Sequence, residues 1–401
     1  MNYQGNYMLP LLFAFNALAS QQVLDTAWPD LSVPKIAFKK NATDVALIVS
    51  VEDYAYVTDV RGAGKNAADW QTYFTDVQGI TTDNIIWLQD GEATKEKVEA
   101  AALTVSKMTQ EDGRLWFVFI GHGAPSKSGD DGILVLADAQ QDPQSLYSRS
   151  ISQEWLLKNF EKGRHSETIA IVDACFSGRT ESGGALAEGL QPLIASQDLY
   201  VGNTSILSAG KHDEFAGPLP GSIPIADRPA FSYLALGALL GWADINSDKE
   251  ISLQEVSDYT NLALKTTLVG REQHPQLVTD TPEAILGIGT MSGPEFSDIQ
   301  KESKEILERR KILLEKGLLV ERSFDLTNKS KIYYGSASAM ALGSISMLLL
   351  MNKTIQEDMK NPVSAEDFPA KQRQVARQRY SAIGMGVTTG ILFLLGKYHN
   401  Y

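Results

Sequence analysis

The sequence predicts an α/β protein, a three-layer αβα sandwich around a mostly parallel sheet, followed by a helical hairpin near the carboxyl terminus. Three observations carry that expectation. From Val45 onward short apolar runs alternate with longer stretches of helical periodicity, the order that gives parallel strands with crossover helices on both faces. The runs are almost unbroken in apolar character, as strands buried on both faces are, and are too short for helices. After about Gly293 the composition turns charge-dense and then gives way to two uncharged segments.

Taken in order, residues 1–19 hold an apolar stretch from Met8 to Phe15 and then Ala17-x-Ala19, the small-residue pattern that a signal peptidase cleaves, although no Lys or Arg precedes it. The segment reads as an export signal, with an uncleaved anchor or a buried amino-terminal segment as the alternatives. Strands are expected at 45–51, 84–88, 115–120, 169–172 and 205–208, and helices at 66–74, 95–108, 153–160 and 228–240. The connections at 124–152 and 178–203 are long, and long loops at the carboxyl edge of a parallel sheet usually hold a binding cleft.

Chemistry concentrates at the ends of two of these runs. Residues 168–178, TIAIVDACFSG, carry an apolar strand into Asp173 and Cys175, the single cysteine of the chain. Fifty-three residues upstream, LWFVFI at 115–120 runs into Gly121-His122-Gly123. An arbitrary Cys and an arbitrary His are usually a buried inert thiol and a loop histidine. Two matching strand-end contexts point the other way, because the thiolate is the nucleophile, a free thiol near pKa 8.5 is mostly protonated, and an imidazole within reach removes the proton. Cys175 is then the nucleophile and His122 the proton carrier, with the backbone N–H groups of Gly123 and Cys175 as the oxyanion donors.

His-Gly after one strand and Asp-Ala-Cys-x-Ser-Gly after the next resemble the caspase-like cysteine peptidases, more closely their metacaspase and bacterial branch than the animal caspases. The caspase signature is Gln-Ala-Cys-x-Gly with a His about 50 residues upstream; here Asp173 stands where that Gln would. Val45 to Val51 with Asp53-Tyr54, then Arg61-Gly62-Ala63 and the Trp70/Phe74 helix, Phe231-Ser232-Tyr233 and Gln273-x-Pro275 are similar to further landmarks of that fold, and the resemblance covers residues 40–290. It implies a caspase-like sandwich, a polypeptide substrate, and cleavage after Arg or Lys, because in metacaspases and paracaspases the acid two places before the nucleophile lines the specificity pocket. Asp173 matches that acid. The second acid of the metacaspase pocket falls, through Arg61-Gly62-Ala63, on the neutral Asn66. A closed pocket with Asp173 hydrogen-bonded to backbone is the alternative.

With 43% hydrophobic and 21% charged residues the chain is ordinary globular material, and its 401 residues suffice for two domains. A net charge of −13 and a pI near 5.0 argue against nucleic acid as partner, since phosphate binding needs a basic face. One Cys excludes an internal disulfide and leaves the compartment open.

Residues 244–255 place Asp244, Asn246, Asp248 and Glu250 at alternate positions and Glu255 twelfth, the oxygen-ligand spacing of an EF-hand loop. Lys249 stands where that loop wants Gly, so Ca²⁺ binding competes with a plain acidic turn capping the helix at Leu253. Asp130, Asp131 and Asp138, in the loop after His122, form a second acidic group, and the family resemblance implies an activating calcium there.

Residues 294–322 read as an amphipathic connector helix, with Phe296, Ile299, Ile306 and Leu307 at helical spacing. Residues 332–351 and 380–396 are free of charge and long enough to span a bilayer, the second only just, and Gly335, Ala339 and Gly343 stand four apart, as do Gly386 and Gly390, as in closely packed membrane helices. A buried hairpin packed on protein is the alternative. Six Lys and Arg between the two segments, at 353, 360, 371, 373, 377 and 379, place that loop in the cytoplasm and the peptidase domain outside the cell membrane, on the periplasmic side. Lys329 and Lys331 on the other flank weaken that cue. The sequence thus supports a membrane-anchored cysteine endopeptidase. The other reading is a scaffold subunit of an envelope protein complex that keeps the fold with little or no proteolysis.

Overall fold

A computed structural model describes residues 28–32, 41, 43–178, 186–187, 190, 202–211, 213–221, 227–289 and 291–315. The expected signal at 1–19 and the paired apolar segments at 332–351 and 380–396 lie outside the described residues.

The protein is α/β. A six-stranded sheet is formed by β1 (Val45–Ser50), β2 (Ile85–Gln89), β3 (Arg114–Ile120), β7 (Glu167–Asp173), β8 (Thr204–Ser208) and β10 (Gln276–Val278), in the order β10-β8-β7-β3-β1-β2, and only β10 runs antiparallel. The central strands show why their sequences lack polar alternation: all six residues of β1 and the last six of both β3 and β7 are buried. Alternate residues feed two separate cores. Ile48, Trp116, Val118, Ile169 and Ile171 pack under α1 (Ala63–Thr72), α5 (Ala230–Gly237) and α6 (Leu253–Thr267), whereas Leu47, Val49, Phe117, Phe119 and Val172 face α2 (Lys95–Met108) and α4 (Gln153–Phe160). Burying each such side chain stabilises the fold by roughly 1.5–3 kcal/mol. A one-residue slip of β3 would exchange the two faces, so burial fixes its register against β1 and β7.

Helix ends follow local chemistry. The helix expected at 66–74 begins earlier, at Ala63, after Gly62 with φ 75°, and continues past Thr72 through a π-helical turn to Val77. The Gly62 site excludes a side chain, because a Cβ there would lie 2.8 Å from the Arg228 Cα. The helix expected from 228 starts at Ala230, since the two residues before it are an Arg preceding Pro and the Pro itself. Ser152 caps α4 by accepting from Trp155 N at 3.0 Å, and Ser252 and Glu255 form a reciprocal capping box on α6.

The long connection after His122 contains structure that its sequence does not announce: β4 (Gly123–Pro125), β5 (Gly132–Leu134) and β6 (Ile151–Ser152) make a three-stranded sheet, with α3 (Pro143–Arg149) before β6. A second small ribbon pairs β9 (Glu250–Ser252) with β11 (Ile285–Ile288). The last described helix, α7 (Phe296–Glu315), lies on α6, with Ile299 fully buried, the Phe296 ring 5.8 Å from that of Tyr259, and Gln300 Nε2 donating to Thr266 O at 3.1 Å. Among the described residues no helix is long and apolar enough to cross a membrane.

Candidate active site

β3 and β7 are adjacent and parallel, paired from Arg114↔Glu167 to Ile120↔Asp173, so they end at the same level. The ladder continues one bond further, Gly121 N to Asp173 O at 3.1 Å. His122 and Cys175 therefore occupy neighbouring strand ends at the carboxyl edge of the sheet, where open parallel sheets place their chemistry. The loops after the two strands run close together: a Cβ on Gly123 would lie 2.9 Å from Cys175 O. Gly123 is thus required for the two loops to meet.

His122 is held from several sides. Its main-chain N–H donates to Tyr54 Oη at 2.8 Å, that hydroxyl donates to Val135 O at 3.0 Å, and Val135 N returns a bond to His122 O at 2.9 Å. The Tyr54 ring lies against the imidazole, centroids 5.0 Å apart. His122 Nε2 is 2.7 Å from the backbone carbonyl of Thr58. A carbonyl only accepts, so Nε2 carries the hydrogen and Nδ1 presents a lone pair, the tautomer that a general base requires. Burial pushes the His122 pKa down to about 4, against the pull of the Thr58 carbonyl. At neutral pH the ring is an uncharged proton acceptor. Thr58 is invisible to sequence reading because any residue type brings the same carbonyl.

Cys175 is 7% exposed. Its Sγ lies 2.8 Å from Glu214 O and 2.7 Å from Ser177 Oγ. The Glu214 carbonyl accepts, so the thiol donates to it, and the Ser177 hydroxyl is left to donate to sulfur. The Glu214 carboxylate in turn receives His274 Nδ1 at 2.6 Å and His274 N at 2.8 Å. Burial would raise this carboxyl, but the His274 and Lys211 donors outweigh it and hold its pKa below the ordinary range. Glu214 and His274 were not anticipated from sequence, although His274 is the unspecified residue within Gln273-x-Pro275.

Asp173 and Asn66 are brought together around Ser232 at the start of α5, and both are buried. Asp173 Oδ2 accepts from Ser232 N at 2.7 Å, and burial pushes its pKa up to about 6 against the Ser232 bonds and the charge of Arg271. Asn66 donates to Pro229 O and Ser232 Oγ, each at 2.8 Å, and accepts from Arg228 Nε at 2.6 Å. Arg228 also pairs with the buried Asp69. The protein's own guanidinium therefore lies against Asn66. A cavity of about 710 Å³ opens next to this cluster, lined by Trp28, Asp53, Asp59, Arg61 and Asp227 among others, and neither His122 nor Cys175 lines it.

In the 244–255 loop the candidate calcium ligands are engaged as turn acceptors. Asp244 Oδ2 takes Lys249 N at 3.1 Å, Asn246 Oδ1 takes Asp248 N at 2.8 Å, and Asp248 Oδ1 takes Glu250 N at 2.8 Å. The Glu250 side chain is exposed, and Glu255 Oε2 receives Ser252 N and Oγ, both at 2.9 Å. Lys249 has φ 70°, the left-handed conformation that glycine would adopt at no cost. Asp130 accepts from Ser126, Asp131 Oδ2 from Ser152, and Asp138 Oδ2 pairs with Arg149, while Asp131 Oδ1 and Asp138 Oδ1 are buried without a hydrogen-bond partner among the described residues. Among the described residues no group of three or more His, Cys, Asp or Glu side chains is arranged to hold a metal ion.

No protein-family profile matches the chain, and no curated protein matches it. Solved structures do match, among them the crystal structure of protein GSU0716 from Geobacter sulfurreducens, with 15% identity, a TM-score of 0.41, and coverage of 62% of this chain and 95% of that one. A similarity at that level carries no inference about activity.

Proposed function

We propose that the chain is a membrane-anchored cysteine endopeptidase with a caspase-like sandwich, its peptidase domain on the periplasmic side. One observation carries the reading: parallel β3 and β7 end in register, so His122 and Cys175 sit on adjacent strand ends, and the Thr58 carbonyl leaves Nδ1 of His122 free to accept a proton. In this reading Nδ1 takes the thiol proton as Cys175 Sγ attacks the scissile carbonyl, and the same imidazole then protonates the leaving amine. The backbone N–H groups of Gly123 and Cys175 stabilise the oxyanion. Preference for Arg or Lys before the scissile bond falls to Asp173, whose buried carboxylate would gain a cationic partner; reaching it requires displacement of the packing around Ser232. Ca²⁺ at residues 244–255 would need Asp244, Asn246 and Asp248 to exchange their backbone donors for the ion.

The test is a fluorogenic peptide library hydrolysed by the purified protein with and without Ca²⁺. Cys175→Ala and His122→Ala should abolish turnover while leaving the melting transition in place, and Asp173→Ala should remove cleavage after Arg or Lys. Turnover by Cys175→Ala at the parental rate would refute the assignment. Membrane anchoring is checked by fractionation, where the protein should stay in a carbonate-washed pellet and dissolve in detergent. The second reading, an envelope scaffold with little proteolysis, is favoured by the engagement of the thiol with Glu214 O and by the closed Asp173/Asn66 cluster. An inert library combined with stable membrane complexes would select it.

A further inference from the structure

The partner of the Cys175 thiol is a main-chain carbonyl on a segment that the rest of the protein fastens in place. Residues 209–211 and 213–218 follow β8, and Glu214 O lies 2.8 Å from the sulfur of Cys175. Residues 271–274, just ahead of β10, pin them at four points: Gln273 Nε2 donates to Ala209 O at 2.8 Å, Gln273 Oε1 accepts from Gly217 N at 3.3 Å, Arg271 donates to Pro218 O, and the Glu214 carboxylate is clasped by His274. Lys211 adds its N–H to Glu214 Oε2 at 3.2 Å, with its ammonium 3.9 Å from Oε1. Of these contacts, the Glu214–His274 pair belongs to the residue whose carbonyl meets the sulfur.

We propose that Glu214 and His274 are positioning residues for the thiol: by clasping each other they hold the Glu214 carbonyl on Cys175 Sγ, which occupies the sulfur and directs its proton away from His122 until a polypeptide strand displaces residues 213–218. A carbonyl oxygen accepts the thiol hydrogen and occupies the sulfur, so its removal frees both for reaction. Once it is displaced, the S–H proton is free to pass to Nδ1 of His122 as sulfur attacks, while the Ser177 hydroxyl still donates to sulfur. The proposal rests on the His122/Cys175 reading for its consequence but concerns a different pair of side chains.

Because the chain has one cysteine, incorporation of iodoacetamide into the full-length protein reports this thiol alone. The rate of carboxamidomethylation is measured by mass spectrometry from pH 5 to 10 for the parent, His274→Ala and Glu214→Ala. Releasing one hydrogen bond of ordinary net strength should raise the rate at pH 7 about fivefold. The His274 side chain is 38% exposed, so its truncation leaves the core intact, and it serves as the decisive variant should Glu214→Ala lose its cooperative melt. Rates within twofold of the parent in a folded His274→Ala protein overturn the proposal. His122→Ala, alone and combined with His274→Ala, separates the two ideas. A gain in His274→Ala that persists without His122 keeps the positioning pair and rejects the dyad, whereas a rate that depends on His122 but ignores His274 does the reverse.

Discussion

Two groups at the candidate site titrate in the same pH window with opposite effects on stability. Asp173 is pushed from 3.8 up to about 6 by burial, so its contribution is intact below pH 3.8 and is lost as pH rises through 6. His122 is pushed from 6.5 down to about 4, so the folded state is intact above pH 6.5 with respect to this group and loses stability as pH falls through 4. At about 1.4 kcal/mol per pKa unit, each amounts to a penalty of roughly 3 kcal/mol, one at high pH and the other at low pH. Their sum is nearly constant from pH 4 to 6.5, and the parent should show no net pH dependence from this pair. Asp173→Asn isolates the aspartate: its amide oxygen still accepts from Ser232 N, while the penalty of a buried carboxylate disappears. The assay is urea denaturation at pH 4, 5, 6 and 7, read as the difference between variant and parent so that all other carboxylates cancel. Asp173→Asn should be more stable than the parent by about 2–3 kcal/mol at pH 7 and equal to it near pH 4. A variant destabilised by the same amount at both pH values would refute the argument, because burial would then not be shifting the titration of the aspartate.

Two further outcomes follow from the same geometry. Tyr54→Phe removes the hydroxyl that accepts from His122 N and donates to Val135 O, leaving two inward-facing main-chain groups without that partner; a loss of about 2–3 kcal/mol in urea denaturation is expected, together with turnover reduced at least tenfold as the His122 backbone relaxes. Arg228→Met leaves the buried Asp69 with only Lys65, whose side chain is 48% exposed, and should cost about 3 kcal/mol, most of it recovered in the Arg228→Met/Asp69→Leu double variant.

How much of this was legible in the sequence depended on the range of the contacts involved. The central strands were readable because burial on both faces leaves unbroken apolar runs such as 115–120 and 169–172, and the order of runs and helical stretches gave the parallel sheet. The placement of His122 and Cys175 on adjacent strand ends was readable for the same reason, since equal short offsets from two paired strands put both residues at one level. The strands β4, β5 and β6 were not, because segments of two or three residues containing Gly and Pro show no period. Neither were Thr58, which acts through its carbonyl, and the Glu214–His274 clasp, which joins residues 60 apart and leaves no local pattern. The resemblance pairs Asp173 and Asn66 in one pocket; they converge on Ser232, but a sequence does not disclose that its own Arg228 will lie against Asn66.

The sharpest constraint on the site is the absence of a side chain at Gly123. A Cβ there would meet Cys175 O at 2.9 Å and the Phe176 ring at 3.0 and 3.1 Å. Neither neighbour can yield cheaply. The carbonyl belongs to the peptide that follows the nucleophile, and the same edge of the Phe176 ring also lies against Gly132, where a Cβ would come within 2.7 Å of it. Gly123→Ala must therefore separate the end of β3 from the end of β7 by some tenths of an ångström, at a stability cost of about 1–3 kcal/mol, the usual range for overpacking. That displacement falls on the two N–H groups assigned to the oxyanion, and catalysis by donors of this kind depends on their fixed aim. Turnover should drop about 100-fold, while iodoacetamide, which forms no oxyanion, should still label Cys175 within threefold of the parental rate. Equal losses in both reactions would mean that the alanine disturbs the thiol itself. Parental turnover would mean that Gly123 serves packing alone, and the oxyanion site would have to be sought elsewhere along the carboxyl edge.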